Sequence, residues 1–259
     1  MDLALSIRQE LEEFARRKAG RGITELKIEA GDAWSVDVSF TFAGRDWLRL
    51  RNLRTGDVPL LLKFGQNLGD ESRELFGPYP WDDAVRLPEA LGQTIRNAVD
   101  RVDASYLMLC EDEPIAHFFL WKAGGNAQSA GHGVQVPELG IAIADGWHGR
   151  GLGRLIMRLL DCAAASLGAA AIELTTAFGN EAGYRTYLSA GYVEVGEICV
   201  PRGVDVTAAV EGSVSFESYK CERQMVRIID EAKRQAVEKY LAAKRIDSEA
   251  VCRGKRRAD

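Results

Sequence analysis

Residues 148–153 read His-Gly-Arg-Gly-Leu-Gly. They follow the apolar run Leu-Gly-Ile-Ala-Ile at 139–143 and overlap a helical pattern that opens at Leu152. A glycine-rich turn lets backbone N–H groups point one way, and the first turn of a helix adds partial positive charge. Together they make a seat for a phosphate or pyrophosphate. Arg150 and Arg154 flank it, either as charge-assisted partners of the anion or as solvated side chains. Glu138 stands immediately before the apolar run, and Asn180 and Tyr187 follow downstream.

Two common phosphate loops are excluded by spacing. A dinucleotide fold wants G-x-G-x-x-G, but here the glycines are two apart at Gly149, Gly151 and Gly153, and position 154 is Arg. That fold also wants an acid past the end of the second strand, whereas Glu173 falls in the middle of one. A P-loop would close on Gly-Lys-Ser/Thr, which is absent.

A third loop fits. Residues 148–153 resemble the coenzyme A pyrophosphate loop of the GNAT acetyltransferase superfamily, Gln/Arg-x-x-Gly-x-Gly/Ala, with His148 in place of Gln or Arg. Asn180, Tyr187, Gly191 and Tyr192 match that family's Asn-x₅-Leu-Tyr-x₃-Gly-Phe pattern, with Thr186 for Leu and Tyr192 for Phe. Residues 48–57 resemble its first strand and helix start. The resemblance covers about residues 47–229.

It implies a GNAT fold of α/β (α+β) type: a mixed, mostly antiparallel seven-stranded sheet flanked by helices. It implies acetyl-CoA as co-substrate, no metal, and transfer of the acetyl group to a primary amine by direct attack on the thioester. The amine belongs to a small molecule or a peptide. Backbone groups of Ile141, Ala142 and Ile143 are expected on the pantetheine. The loop His148, Gly149, Arg150, Gly151, Leu152, Gly153 and Arg154 is expected on the pyrophosphate. Asn180 is expected as a helix cap, a cofactor contact, or both.

An acyl transfer to an amine has two proton problems. The amine arrives protonated, with a pKa near ~10 if it is lysine-like, and the leaving thiolate needs a proton or a donor. The resemblance places Tyr187 near the sulfur as the acid, against the plainer reading of a packing tyrosine. Glu138 resembles the position of a catalytic glutamate, acting directly or through a water; the plainer reading is a solvated carboxylate at a strand edge. Asp82, Asp83, Glu111 and His117 are further base candidates. His117 lies within the apolar strand pattern Ile-Ala-His-Phe-Phe, which favours a packed histidine. A non-catalytic acyl-CoA-binding module with a role in assembly is the alternative function.

The surrounding elements follow from periodicity. Leu3, Ile7, Leu11 and Phe14 recur at helical spacing. Residues 24–30 and 34–42 alternate apolar and polar with Gly31-Asp32 between them, which predicts a hairpin with one greasy face. Such a hairpin is marginal alone, so the first helix or a second copy must cover it. These elements form an α-β-β extension over 1–45, ahead of an acetyltransferase domain over 46–229. A C-terminal helix and basic tail take 230–259. Residues 76–81, Phe-Gly-Pro-Tyr-Pro-Trp, predict a stiff aromatic turn: an acceptor-facing wall or plain core. Residues 122–137, rich in Gly, Ser, Asn and Gln, predict a mobile loop. Segments 122–137 and 201–217 are each a lid or only a loop.

Composition bounds the rest. The chain has 259 residues, 46% hydrophobic and 27% charged, which suits a well-buried core. A net charge of −5 argues against a broad nucleic-acid surface. No apolar run reaches membrane-spanning length and the first residues are not a signal peptide. Five cysteines with no Cys-x-x-Cys pair fit a reducing cytoplasm rather than a disulfide framework.

Overall fold

The computed structural model describes residues 2–17, 22–202 and 218–255. In chain order these form α1 (Leu3–Arg17), β1 (Ile23–Ala30), β2 (Val36–Phe42), β3 (Asp46–Asn52), α2 (Val58–Gln66), α3 (Asp70–Leu75) and α4 (Arg86–Val99). Next come β4 (Ala104–Cys110), β5 (Glu113–Trp121), α5 (Ala127–Ala130), β6 (Glu138–Ile143), α6 (Leu152–Ser166) and β7 (Ala171–Thr176). The chain ends with α7 (Glu181–Ser189), β8 (Val193–Arg202), β9 (Ser218–Ile228) and α8 (Arg234–Lys255).

All nine strands join one sheet in the order β1-β2-β3-β4-β5-β6-β7-β9-β8. β3 to β9 supply the seven expected strands. The hairpin β1–β2 continues that sheet through the β2–β3 ladder, where Phe40 faces Leu48 and Val38 faces Leu50. Among the described strands only β6 and β7 pair in parallel. A parallel neighbour cannot be reached by a tight turn, so α6 makes the crossover.

Helices cover both faces. On one side α1 and α6 share a core with the hairpin: Leu3, Ile7, Leu11 and Phe14 meet Val36, Val38, Phe40 and Phe42, alongside Leu155, Ile156, Leu159 and Leu160. The greasy hairpin face is thus covered within the chain by α1. On the other side Leu61 and Phe64 of α2 and Leu91 and Ile95 of α4 pack on Leu107 and Phe119. Next to them, Val237, Tyr240 and Leu241 of α8 lie on Val136, Ala171 and Val226. Each large apolar side chain buried this way contributes about 1.5–3 kcal/mol before entropy is counted.

Residues 122–137 are packed rather than mobile. The Asn126 side chain caps α5 by accepting from the Ser129 N–H, and its Nδ2 donates to the Val136 carbonyl at 2.8 Å. The Ser129 hydroxyl accepts from the Val136 N–H at 3.2 Å, and Gln135 Nε2 donates to the Lys122 carbonyl at 2.8 Å. The polar side chains whose composition predicts motion here satisfy buried backbone. Of segment 201–217, residues 203–217 lie outside the described residues.

Candidate active site

The site is built around β6. On its β5 side the ladder is complete, from Ala116↔Ile143 to Trp121↔Glu138. On its β7 side only Glu138↔Glu173 is in register. Just before this point the two chains still bond, Glu173 N–H to the Pro137 carbonyl at 3.0 Å and Ala170 N–H to the Gln135 carbonyl at 2.8 Å. Beyond Glu138 the ladder stops and the strands separate. The result is a wedge walled by Ile141, Ala142 and Ile143, with Glu138 at its closed end and the glycine loop at its open end. Five residues of strand place these ends about 17 Å apart.

Local chemistry shapes the loop. Residues 145–147 form a single 3₁₀ turn, and Asp145 ties it to the α2–α3 turn by accepting from the Ser72 hydroxyl at 2.7 Å and the Gly69 N–H at 3.2 Å. His148 folds back onto the strand end, its Nε2 2.7 Å from the Ile143 carbonyl. A carbonyl only accepts, so Nε2 carries the proton. Gly149 and Gly151 take positive φ, 69° and 90°, a region L side chains avoid, and Gly151 is the N-cap of α6. The first bond into the helix runs from the Leu155 N–H to the Gly151 carbonyl. The amides of Leu152, Gly153 and Arg154 come before it, at the positive end of the dipole. Gly153 lets α7 close on this turn: a Cβ there would lie 3.3 Å from Thr186 Cγ2.

The two arginines are engaged. Arg150 stacks on Trp147, with its guanidinium carbon 4.3 Å from the ring centre, and pairs with Asp46 at 3.5 Å. Arg154 Nε donates to the Ser189 hydroxyl at 3.3 Å, fastening α6 to α7. Asn180 is a working cap: Oδ1 accepts from the Gly183 N–H at 2.9 Å, and Nδ2 donates to Thr176 Oγ1 at 3.2 Å, tying α7 to the end of β7.

Tyr187 is buried one residue past Thr186, its ring centre 6.2 Å from that of Tyr192. Burial, with some help from the charge of Glu222, pushes its phenol up to about 12. It therefore keeps its proton at neutral pH, as a donor must. Tyr184 sits one turn earlier under the Arg223 guanidinium, 4.5 Å from its ring centre, away from this role.

Glu138 is not a free strand-edge carboxylate. Its Oε2 lies 3.4 Å from the Lys244 ammonium of α8, and the same ammonium lies 3.0 Å from Oε1 of buried Glu173. Tyr240 donates to that Glu173 oxygen at 2.5 Å, and Gln224 Nε2 approaches Oε2 at 3.3 Å. None of Lys244, Tyr240 and Gln224 was anticipated from the sequence. One signal was available: Val237, Tyr240, Leu241 and Lys244 fall at i, i+3, i+4 and i+7, so a cation sits on the buried stripe of α8.

His117 is fully buried against the turn at 76–81. Its Nδ1–H donates to the Tyr106 carbonyl at 3.0 Å and its Nε2 accepts from the Tyr79 hydroxyl at 2.8 Å, so the neutral ring is satisfied at both nitrogens. Phe76, Tyr79 and Phe119 surround it with ring centres 5.4–6.1 Å away. This is a packed histidine. Burial pulls its pKa down to about 4, the Tyr106 bond opposing weakly. Between pH 6.5 and 4 the unfolded chain binds a proton there that the folded chain does not, so stability falls as pH falls through that window. Urea melts of the wild type should show this histidine's share as a loss of about 2 kcal/mol between pH 7 and pH 5, and His117→Gln should remove that increment of pH dependence.

Among the described residues no group of three or more His, Cys, Asp or Glu side chains is placed to hold a metal ion. None of their helices is long and apolar enough to cross a membrane.

Comparison with known proteins now bears on this geometry. Residues 71–192 match the acetyltransferase (GNAT) family. No curated protein matches the chain. Among solved structures, a ribosomal-protein-S5-alanine acetyltransferase from Vibrio fischeri superposes with a TM-score of 0.54 at 14% identity, over 75% of this chain and 98% of its own. Mycobacterium smegmatis RimJ, solved with CoA-disulfide, gives 0.52 at 14% identity over 86% and 94%. A spermidine N-acetyltransferase from Vibrio cholerae, solved with CoA and spermine, gives 0.50 at 19% identity over 70% and 95%. At these identities the likeness establishes the fold.

Proposed function

We infer that this chain, which carries a GNAT acetyltransferase domain over residues 71–192, is an acetyl-CoA-dependent N-acetyltransferase acting on a primary amine. The observation that carries the reading is the wedge between β6 and β7, with a left-handed glycine loop and helix N-terminus at one end and Glu138 at the other. The wedge presents one free strand edge to an extended, amide-bearing ligand, and the loop presents converging N–H groups to its anionic end. The co-substrate brings the activated acyl group. The chain supplies the rest.

In this reading the amides of residues 150–154 hold the pyrophosphate, and the backbone of Ile141, Ala142 and Ile143 holds the pantetheine. Arg150 and Arg154 reach the phosphates only by giving up Asp46 and Ser189, so the backbone does most of the binding. Glu138 takes the proton from the incoming ammonium, directly or through a water. The freed nitrogen attacks the carbonyl carbon, the C–S bond breaks while the Tyr187 hydroxyl donates a hydrogen bond to the departing sulfur, and the second nitrogen proton leaves to the thiolate or to solvent, giving the amide and free thiol. Trp121 is the cross-strand partner of Glu138, and its ring stacks on Phe119 with centres 4.6 Å apart.

Similar structures are named a ribosomal-protein-S5-alanine acetyltransferase and a spermidine N-acetyltransferase, so peptide amines and polyamines head the acceptor panel. Thiol release from acetyl-CoA should rise above the hydrolysis background with at least one of them, and calorimetry should show binding of acetyl-CoA but not of NAD. Binding of CoA with no turnover on any amine would favour the acyl-CoA-binding module instead. Tight binding of NAD without CoA would end both readings.

A further inference from the structure

We propose that Lys244, on the C-terminal helix, is a positioning residue that keeps Glu138 able to accept a proton by balancing two carboxylates at the closed end of the wedge. The inference rests on the reading of Glu138 as the base. Its ground is the register: Glu138 and Glu173 are direct partners on neighbouring strands, on the face that α8 covers. Strands so paired are about 4.8 Å apart, so the two acids repel unless something stands between them. Lys244 stands there, at 3.0 Å from Glu173 and 3.4 Å from Glu138.

The arrangement is asymmetric. Glu173 is 1% exposed and already holds Tyr240 and Gln224, while Glu138 keeps 26% of its side chain accessible. The ammonium is therefore anchored on Glu173 and leans on one oxygen of Glu138, leaving the other open to a water or an acceptor. The remaining groups around the cluster do not replace it. Arg245 is spent on the Gln224 amide oxygen at 2.9 Å, His132 lies against Tyr240 rather than the acids, and Trp121 carries no charge. Burial opposes the charge on Lys244, but the two carboxylates outweigh it and hold the ammonium protonated. Burial, the charge of Glu138 adding to it, pushes Glu173 up. Without Lys244 the two acids would share a proton, as close carboxylate pairs do, and Glu138 would spend part of its time unable to act.

The test uses carboxyl-labelled glutamate NMR on the unliganded full chain, with the Glu138 signal assigned through Glu138→Gln. Lys244→Met should move the Glu138 titration upward by about one unit, Lys244→Arg should restore it, and Glu173→Gln combined with Lys244→Met should restore it too, because the second carboxylate is gone. The double variant also covers the case in which Lys244→Met alone does not fold. In thiol-release assays Lys244→Met should move the acidic limb of kcat/KM upward by the same amount, with a loss of up to about tenfold below the limb and full recovery well above it. An unmoved titration in Lys244→Met, or no restoration in the double variant, overturns the proposal. Full activity of Glu138→Gln at every pH instead overturns the base reading on which it rests.

Discussion

Tyr187→Phe is expected to lower kcat by about 10²- to 10³-fold while leaving acetyl-CoA affinity within a few-fold of wild type. The size follows from the phenol's own chemistry. A thiol of the cysteine class ionises near ~8.5, and burial has pushed Tyr187 up to about 12. Full transfer of the tyrosine proton to a free thiolate would thus be uphill by about 5 kcal/mol. In the proposed reading the hydroxyl acts instead as a fixed hydrogen-bond donor that strengthens as charge builds on sulfur. Removing a donor of that kind costs about 3–4 kcal/mol of transition-state stabilisation. The phenyl ring still packs on Tyr192, so the fold is kept. Two further consequences separate this from a packing tyrosine. The wild-type rate should show no basic limb from Tyr187 below about pH 10, since the group has not begun to ionise there. The loss should also lie in kcat rather than KM. Steady-state kinetics beside calorimetry on the same variant checks both, and a Tyr187→Phe enzyme with wild-type kcat would reduce Tyr187 to core.

The parts of this site that a sequence displays are those whose geometry is set within one stretch of chain. Gly149, Gly151 and Gly153 declare a turn because a left-handed backbone demands glycine at two of them and close helix packing at the third. Asn180 and Tyr187 share one helix, so their spacing alone places the phenol two turns from the cap. Lys244 was hidden for the opposite reason. It reaches Glu138 across 106 residues of sequence, and nothing local to either residue says that α8 returns over the closed end of the wedge. Asp46 was hidden from Arg150 in the same way. The segment at 122–137 misled through composition, because Asn126, Ser129 and Gln135 look solvated until their backbone partners are known. The hairpin was legible as a hairpin from its period of two. That it continues the main sheet was not, since edge pairing of β2 with β3 depends on register that periodicity does not carry.

That continuity sets the second large effect. Phe40 is fully buried in the middle of β2, opposite Leu48 of β3, and shares a core with α1 and α6. Phe40→Ala is expected to remove about 4 kcal/mol of stability, the sum of lost transfer energy and an incompletely collapsed cavity. Domains of this size hold only about 5–15 kcal/mol in reserve, so Tm should drop by roughly 10 °C. The form of the transition matters more than its size. Were residues 1–45 a module laid on a self-sufficient domain, the variant would melt the hairpin early, and the remainder would unfold at the wild-type midpoint. A single sheet, with the hairpin sharing its core with α6, predicts otherwise. Tryptophan fluorescence, dominated near the lesion by Trp34 and Trp47, and far-UV circular dichroism, dominated by α6 and α8, should shift together in one step. Acetyl-CoA affinity of the folded fraction should stay near wild type, because Phe40 touches neither the wedge nor the loop. Two separated transitions would show instead that residues 46–229 are stable without the first helix and hairpin, and that the contact of α1 with α6 carries little of the folding energy.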